Sequence, residues 1–289
     1  MSKETPRGPD FLVIGAQRAG TTWLYRVLRQ HPALWLPPVK ELQYFSNLNR
    51  KRTWLDADER RRVKLKNLEA FDLWHLRYLL GARSDVWYAR LFHEAQQRGL
   101  IAGEVTPSYA VLNKGTFRHI QRMNSQIKLI FVMRDPVDRS WSTATNAYRK
   151  GRFDELTLEK SLAWAKSSRV AARSTYLRTI ERVGAVFPRQ QFFCGFFDDL
   201  RDRPEQFVAE LLSFLGVVPG DVRKILLPEA VNVTGTTQPI PPEFAREMAK
   251  QYLPVVREIS QRFDGAPRMW CARYEELLND SGHDNESQR

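Results

Sequence analysis

Phe11-Leu-Val-Ile-Gly-Ala-Gln-Arg-Ala-Gly-Thr-Thr-Trp-Leu24 decides the fold. An apolar run leads to Gly15, a turn of small and polar residues follows, and a helical pattern opens at Thr21. The order is strand, phosphate loop, helix. A strand buried in a parallel sheet reads as a continuous apolar run. The N–H groups at the start of the next helix are unpaired and carry the positive end of the helix dipole, so they hold phosphate. The spacing Gly15-x4-Gly20-Thr21-Thr22 approaches a Walker A loop, but Thr21 stands where that loop needs lysine. The basic group sits inside the turn instead, at Arg18. The loop is expected to take a nucleotide's phosphates, with its cation aimed away from the β/γ bridge of a nucleoside triphosphate.

Outward from this unit, strands and helices alternate. Further strands are expected at 33–36, 101–105, 128–133 and 191–197. Helices are expected at 21–30, 137–148, 158–172, 175–186, 204–215 and 242–263. His31-Pro32 closes the first helix, and His31 is read as a capping or packing residue. Asp135 suits an N-cap and Pro136 the first helical position. Gly216 is placed to end a helix, and Pro254 to kink the last one. Residues 56–99 read as helical, charged and aromatic, part of a helical insertion at about 50–99. Aromatics at helical spacing are read as core. The alternation predicts an α/β fold, three-layered and P-loop-like, with a central parallel sheet. One domain is expected over 10–278, between a disordered 1–9 and a flexible tail at 279–289.

With 289 residues and 43% hydrophobic content, the chain is large enough to bury a sheet and its covering helices. The net charge of +12 favours an anionic partner. Cys194 and Cys271 are the only two cysteines, too few for a disulfide framework or a zinc set, and Cys194 reads as a structural thiol. No apolar stretch has the length of a membrane span, and the first residues lack the apolar core of a signal peptide, so a cytoplasmic location is expected.

Two strand ends carry unusual chemistry. One is Gln17-Arg-Ala-Gly-Thr-Thr22. The other is Arg134, with Ser142 eight residues on, slightly more than two helical turns, where it overlooks the strand end. A guanidinium and a hydroxyl there would clasp a second phosphate. Two phosphate sites for one nucleotide match 3′-phosphoadenosine 5′-phosphosulfate (PAPS). Here the chain resembles the PAPS-dependent sulfotransferases, closest to the branch of heparan-sulfate sulfotransferase domains and their bacterial relatives. The resemblance is carried by Gly15-Ala-Gln-Arg-Ala-Gly-Thr-Thr22 and by Leu129-Ile-Phe-Val-Met-Arg-Asp-Pro-Val-Asp-Arg-Ser-Trp-Ser142. Lys40-Glu-Leu-Gln-Tyr-Phe45, Gly103-Glu-Val-Thr-Pro-Ser-Tyr109, Phe196-Phe-Asp-Asp-Leu200 and Phe214-Leu-Gly-Val217 add to it. It runs from about residue 10 to residue 275.

The resemblance implies in-line transfer of a sulfuryl group to an acceptor hydroxyl or amine, with no obligatory metal. It implies that Gln17, Arg18, Ala19, Gly20, Thr21 and Thr22 hold the 5′-phosphosulfate. Arg134 and Ser142 then hold the 3′-phosphate, and Tyr176 approaches the nucleotide. The resemblance places Glu41 where relatives carry a catalytic glutamate, with Glu104 as the alternative base, itself read as a structural hydrogen bond to the loop around Thr106. Relatives often carry lysine at the position of Arg18. Arginine keeps its charge at any working pH, so it neutralises the leaving phosphate without donating a proton. Some relatives carry lysine where Val105 stands, and Lys40 is the candidate replacement. A loop around 232–237 is expected to close over the nucleotide. The acceptor is expected to be a glycan, lipid or small metabolite. Two other readings stay open: a P-loop kinase, disfavoured by the missing Walker lysine, and a non-catalytic polyanion binder. No nucleic-acid motif is present.

Overall fold

In the computed structural model, which describes residues 7–48, 72–80, 82–220, 222–225 and 238–279, the opening stretch forms the central strand of a five-stranded parallel sheet. The strands are β1 (Phe11–Gly15), β2 (Leu34–Trp35), β3 (Ile101–Val105), β4 (Lys128–Met133) and β5 (Phe192–Phe196). Their order is β2-β3-β1-β4-β5, and every pairing is parallel. Phe11, Leu12, Val13 and Ile14 have no exposed surface, which is why the strand shows no polar alternation. Phe11 pairs with Gly103 across the ladder. A Cβ at Gly103 would stand 2.2 Å from the Phe11 ring, so only glycine fits there.

Because β1 lies between β3 and β4, three chain segments leave the sheet side by side. They begin at Ala16, Thr106 and Arg134. Ligands of parallel sheets bind beyond the carboxyl ends of the strands, so this is where the candidate residues gather.

Helices flank the sheet. After the loop comes α1 (Thr21–Leu28). Its N-cap is Gly20 at φ 75, a left-handed conformation that glycine adopts without strain. The segment expected to be a helical insertion holds α2 (Leu73–Leu80) and α3 (Asp85–Gln97), while 49–71 lies outside the described residues. Its aromatics are core: Trp74 and Phe92 pack on Trp35 of β2, and Tyr88 stacks on Tyr44 at 4.5 Å between ring centroids. Next come α4 (Lys114–Met123) and α5 (Pro136–Arg149). Asp135 caps α5, accepting from the N–H groups of Val137 and Asp138 at 2.8 and 3.3 Å.

The expected helix over 158–172 is instead two helices, α6 (Leu158–Lys166) and α7 (Ser168–Ala171), followed by a 3-10 turn at Ala172–Ser174. Ser167 breaks it: its backbone is extended (φ −57, ψ 140) and its hydroxyl donates to the Trp164 carbonyl at 2.6 Å. Then follow α8 (Tyr176–Gly184), α9 (Phe197–Asp202), α10 (Pro204–Leu215) and α11 (Pro242–Arg262). Gly216 ends α10 at φ 85, as its placement in the sequence implied. The helix α11 is continuous through Pro254. It is not the last: α12 (Ala266–Asn279) takes in the first residue of the expected tail, whereas 1–6 and 280–289 lie outside the described residues. Among the described residues, no helix is long and apolar enough to cross a membrane.

Candidate active site

The two motifs that the sequence sets far apart touch each other. Arg18 Nε donates to Ser142 Oγ at 2.9 Å, and Arg134 Nη1 donates to the Arg18 carbonyl at 3.0 Å. Arg18 stands at φ 69, a left-handed conformation that costs a residue with a Cβ about 1 kcal/mol. Burial and repulsion from Arg134 and Arg149 pull the Arg18 guanidinium down to about 10, so it stays charged at neutral pH. The Arg134 guanidinium lies over the Phe197 ring, 4.6 Å from its centroid. Its Nε is buried and meets no acceptor among the described residues. Burial also holds Arg134 below the usual arginine range.

Thr21 is buried and Thr22 exposed at the start of α1. Thr22 Oγ1 accepts from Lys40 Nζ at 3.1 Å. Lys40 thus reaches the loop. Burial, aided by repulsion from Arg18 but opposed by Glu41, lowers the Lys40 ammonium below its ordinary value. Val105, where some relatives carry lysine, is buried at the end of β3.

Glu41 is fixed on both oxygens. Lys40 Nζ lies 3.3 Å from Oε1, and Gln43 Nε2 donates to Oε2 at 3.1 Å. Ser108 in turn donates to Gln43 Oε1 at 2.7 Å. Glu41 and Gln43 both sit at positive φ, 63 and 57. Strain of this kind in residues other than glycine gathers at functional sites. The loop is pinned to the end of β3: the Glu41 N–H donates to the Val105 carbonyl at 3.2 Å and the Leu42 N–H to Glu104 Oε1 at 3.1 Å.

Glu104 has no exposed surface. Besides the Leu42 N–H, it accepts from the hydroxyls of Tyr88, Thr106 and Tyr109. The structural bond to Thr106 read from sequence is present. Burial pushes the Glu104 carboxyl up to about 7 although all four donors favour its charged form. Enclosed on every side, it holds the Glu41 loop in place. Sequence reasoning missed this junction because Tyr88 comes from a helix of the aromatic segment, and nothing local points it at Glu104.

Tyr176 is tied to the second motif. Its ring has no exposed surface, and its hydroxyl donates to the Arg134 carbonyl at 2.6 Å. It braces the backbone of Arg134. A second support went unread. On α12, Tyr274 donates to Asp135 Oδ1 at 2.7 Å and accepts from the Val137 N–H at 3.0 Å, while Arg273 Nη2 lies 2.7 Å from Asp135 Oδ2. Gln17 is half-buried and Ala19 buried within the loop. His31 Nδ1 accepts from the Ala33 N–H at 3.2 Å, a packing role. Burial pushes the Cys194 thiol up to about 12, which fits a structural thiol. The loop at 232–237 lies outside the described residues.

The family model of the sulfotransferase family matches residues 9–219, which contain both motifs and the Glu41 loop. Heparan sulfate glucosamine 3-O-sulfotransferase 5 of Mus musculus is 26% identical over 222 residues, covering 73% of this chain and 54% of that protein. Membrane-associated sulfotransferase kil1 of Dictyostelium discoideum is 29% identical over 136 residues, 46% of this chain and 22% of that protein. The chain thus spans about half the length of the first relative and under a quarter of the second. The crystal structure of a sulfotransferase from Alicyclobacillus acidocaldarius shares the fold, with a TM-score of 0.64 at 24% identity over 91% of this chain and 98% of that one. With more than half its length matched by that model, this chain belongs to the sulfotransferase family.

Proposed function

We propose that this chain transfers a sulfuryl group from PAPS to a hydroxyl or amine of a glycan, lipid or small metabolite. The observation that carries the reading is the Arg134–Arg18–Ser142 junction, which joins the two motifs in one anion-binding surface. The residues fit a donor with two anionic ends. Arg18, Arg134 and Lys40 converge there, and the buried Arg134 Nε awaits an acceptor. Like charges this close favour an arriving anion.

When bound, PAPS supplies the sulfuryl group. Thr21, Thr22 and the loop from Gln17 to Gly20 would hold its 5′ end, and Arg134 with Ser142 its 3′-phosphate. Tyr176 keeps the Arg134 backbone in place. Arg18 and Lys40 set positive charge where negative charge develops on the departing oxygen, and such preorganised charge is worth several kcal/mol. These cations supply what a metal would, so the reaction is proposed to need none. Glu41, held by Lys40 and Gln43, takes the proton of the attacking hydroxyl or amine. Residues 10–278 are proposed to act as one domain, in the cytoplasm.

The test compares ligands and then products. PAP, the desulfated donor, should protect the protein from heat, and ATP with magnesium should not. Labelled sulfate from PAPS should then pass to a member of a pooled glycan, lipid and metabolite library. Protection by ATP with magnesium alone would replace this reading with that of a kinase.

A further inference from the structure

The cations near Glu41 come in two groups along the chain. In the first group, Arg18 feels the charges of Arg134 and Arg149, and Lys40 feels that of Arg18. Lys40 in turn touches Glu41. In the second group stands Arg173, within the fields of Arg169, Arg139 and Glu41. The fold explains the placement. The turn Ala172–Ser174 packs against the turn Pro107–Val111, whose Ser108 holds Gln43 beside Glu41. Just beyond the first turn, Thr179 Oγ1 of α8 donates to the Ala110 carbonyl at 2.9 Å.

Arg173 spends Nη1 on the Arg169 carbonyl at 2.8 Å, but its Nε is buried and meets no acceptor among the described residues. Its neighbour Arg139 has no exposed surface. Arg139 gives Nε to Ser174 Oγ at 2.7 Å and Nη2 to the Val170 carbonyl at 2.9 Å, and its Nη1 is likewise unmet. Arg173 thus has two guanidinium groups, Arg169 and Arg139, and a single carboxylate, Glu41, acting on it. Such an assembly is unfavourable until an anion joins it. In the donor reading above, the phosphates fall to the loop from Gln17 to Thr22, Arg134 and Ser142, which leaves this second group without a role.

We propose that Arg173 binds an anionic group of the acceptor, so that a neighbouring hydroxyl or amine is presented to Glu41. The acceptor is then a hydroxyl or amine compound with a carboxylate, sulfate or phosphate close to its nucleophile. A planar guanidinium fork with free N–H groups suits these anions. The inference rests on the donor reading above and deepens it.

The test uses the full chain saturated with PAP, which fills the donor's phosphate sites. At constant ionic strength the complex is titrated with sodium sulfate and followed by calorimetry. Wild type should show one saturable sulfate site. Arg173→Gln should weaken it at least about tenfold, the loss of one charge-assisted hydrogen bond, with PAP affinity unchanged. Arg262→Gln, which removes a surface charge paired with Glu258, should leave it unmoved. If Arg173→Gln does not fold, Arg173→Lys is read instead; it keeps the charge without the fork and should weaken sulfate about threefold. No saturable site, or equal sulfate affinity in the Arg173 variants, overturns the proposal. Failure of PAP itself to bind overturns the donor reading first, and this inference with it.

Discussion

Replacing Arg18 separates what this residue does for chemistry from what it does to stability. Its backbone is left-handed, at φ 69, which any residue with a Cβ adopts at a cost of about 1 kcal/mol and glycine does not. Arg18→Ala keeps that strain and removes the guanidinium; Arg18→Gly removes both. If the cation faces charge that builds in the transition state, each variant should lose about 100- to 1,000-fold in kcat. Arg18→Gly should nevertheless melt higher than Arg18→Ala, by about 2 °C for roughly 1 kcal/mol in a chain of this size. Arg18→Lys keeps the charge but cannot place a donor at the Nε position, 2.9 Å from Ser142 Oγ. A hydrogen bond from a charged donor is worth about 1.5–3 kcal/mol, so this variant should retain about 1–10% of the activity. Ser142→Ala should harm wild type more than it harms Arg18→Lys, with a coupling of about 1 kcal/mol or more. The assay is labelled-sulfate transfer from PAPS to the acceptor found in the library, with thermal melts run alongside. Wild-type activity in Arg18→Ala, or no coupling between positions 18 and 142, would refute the reasoning.

Glu104 gives a pH prediction. Its carboxyl is raised from the usual 4.5 to about 7, so the folded chain binds a proton that the unfolded chain has released. Stability from this group is complete below about 4.5 and is lost as pH rises through 7, by about 3 kcal/mol; the melting temperature of Glu104→Gln should fall less between pH 5 and 8 than that of wild type. Tyr176→Phe keeps the ring packed on Phe131, 5.7 Å between centroids, and loses the bond to the Arg134 carbonyl. It should cost about 1 kcal/mol of stability and weaken PAP about threefold to tenfold in calorimetry, with kcat close to wild type. Gly103→Ala drives a methyl group to 2.2 Å from the Phe11 ring and should cost about 3 kcal/mol in denaturant titration, part of it recovered by Phe11→Leu in the same chain.

What could be read from sequence was whatever depends on neighbours along the chain. The boundaries of β1 and β4 were legible because each is an apolar run that gives way to a polar turn, and a strand buried in a parallel sheet must look that way. The cap of α5 was legible from Asp135-Pro136. By contrast α4, Lys114–Met123, is so polar that only Phe117 and Ile120 are buried in it, and it went unread. So did α12, whose Tyr274 and Arg273 matter through Asp135, 139 and 138 residues earlier. Glu104 illustrates the limit best. Its bond to Thr106, two residues away, was legible, whereas its bonds to Leu42 and Tyr88 need β3 packed beside two other segments.

The same distinction explains why an arginine can stand where relatives often carry lysine. A lysine ammonium is a point charge on a flexible stem, and one contact does little to orient it. Arg18 is oriented from three directions: its backbone is left-handed, its Nε bonds to Ser142, and its carbonyl accepts from Arg134. Its planar fork therefore points one way before any ligand arrives, and little rotamer freedom remains to be lost on binding. On the proposed reading, the proton-bearing cation comes from another segment as Lys40, which bonds to Thr22 and Glu41. Lys40→Arg would return a fixed fork to that position, and if the two cations divide the work in this way, it should lower kcat more than Arg18→Lys does. A larger loss in Arg18→Lys, measured by labelled-sulfate transfer at saturating PAPS, would mean that Arg18 carries the whole charge on its own.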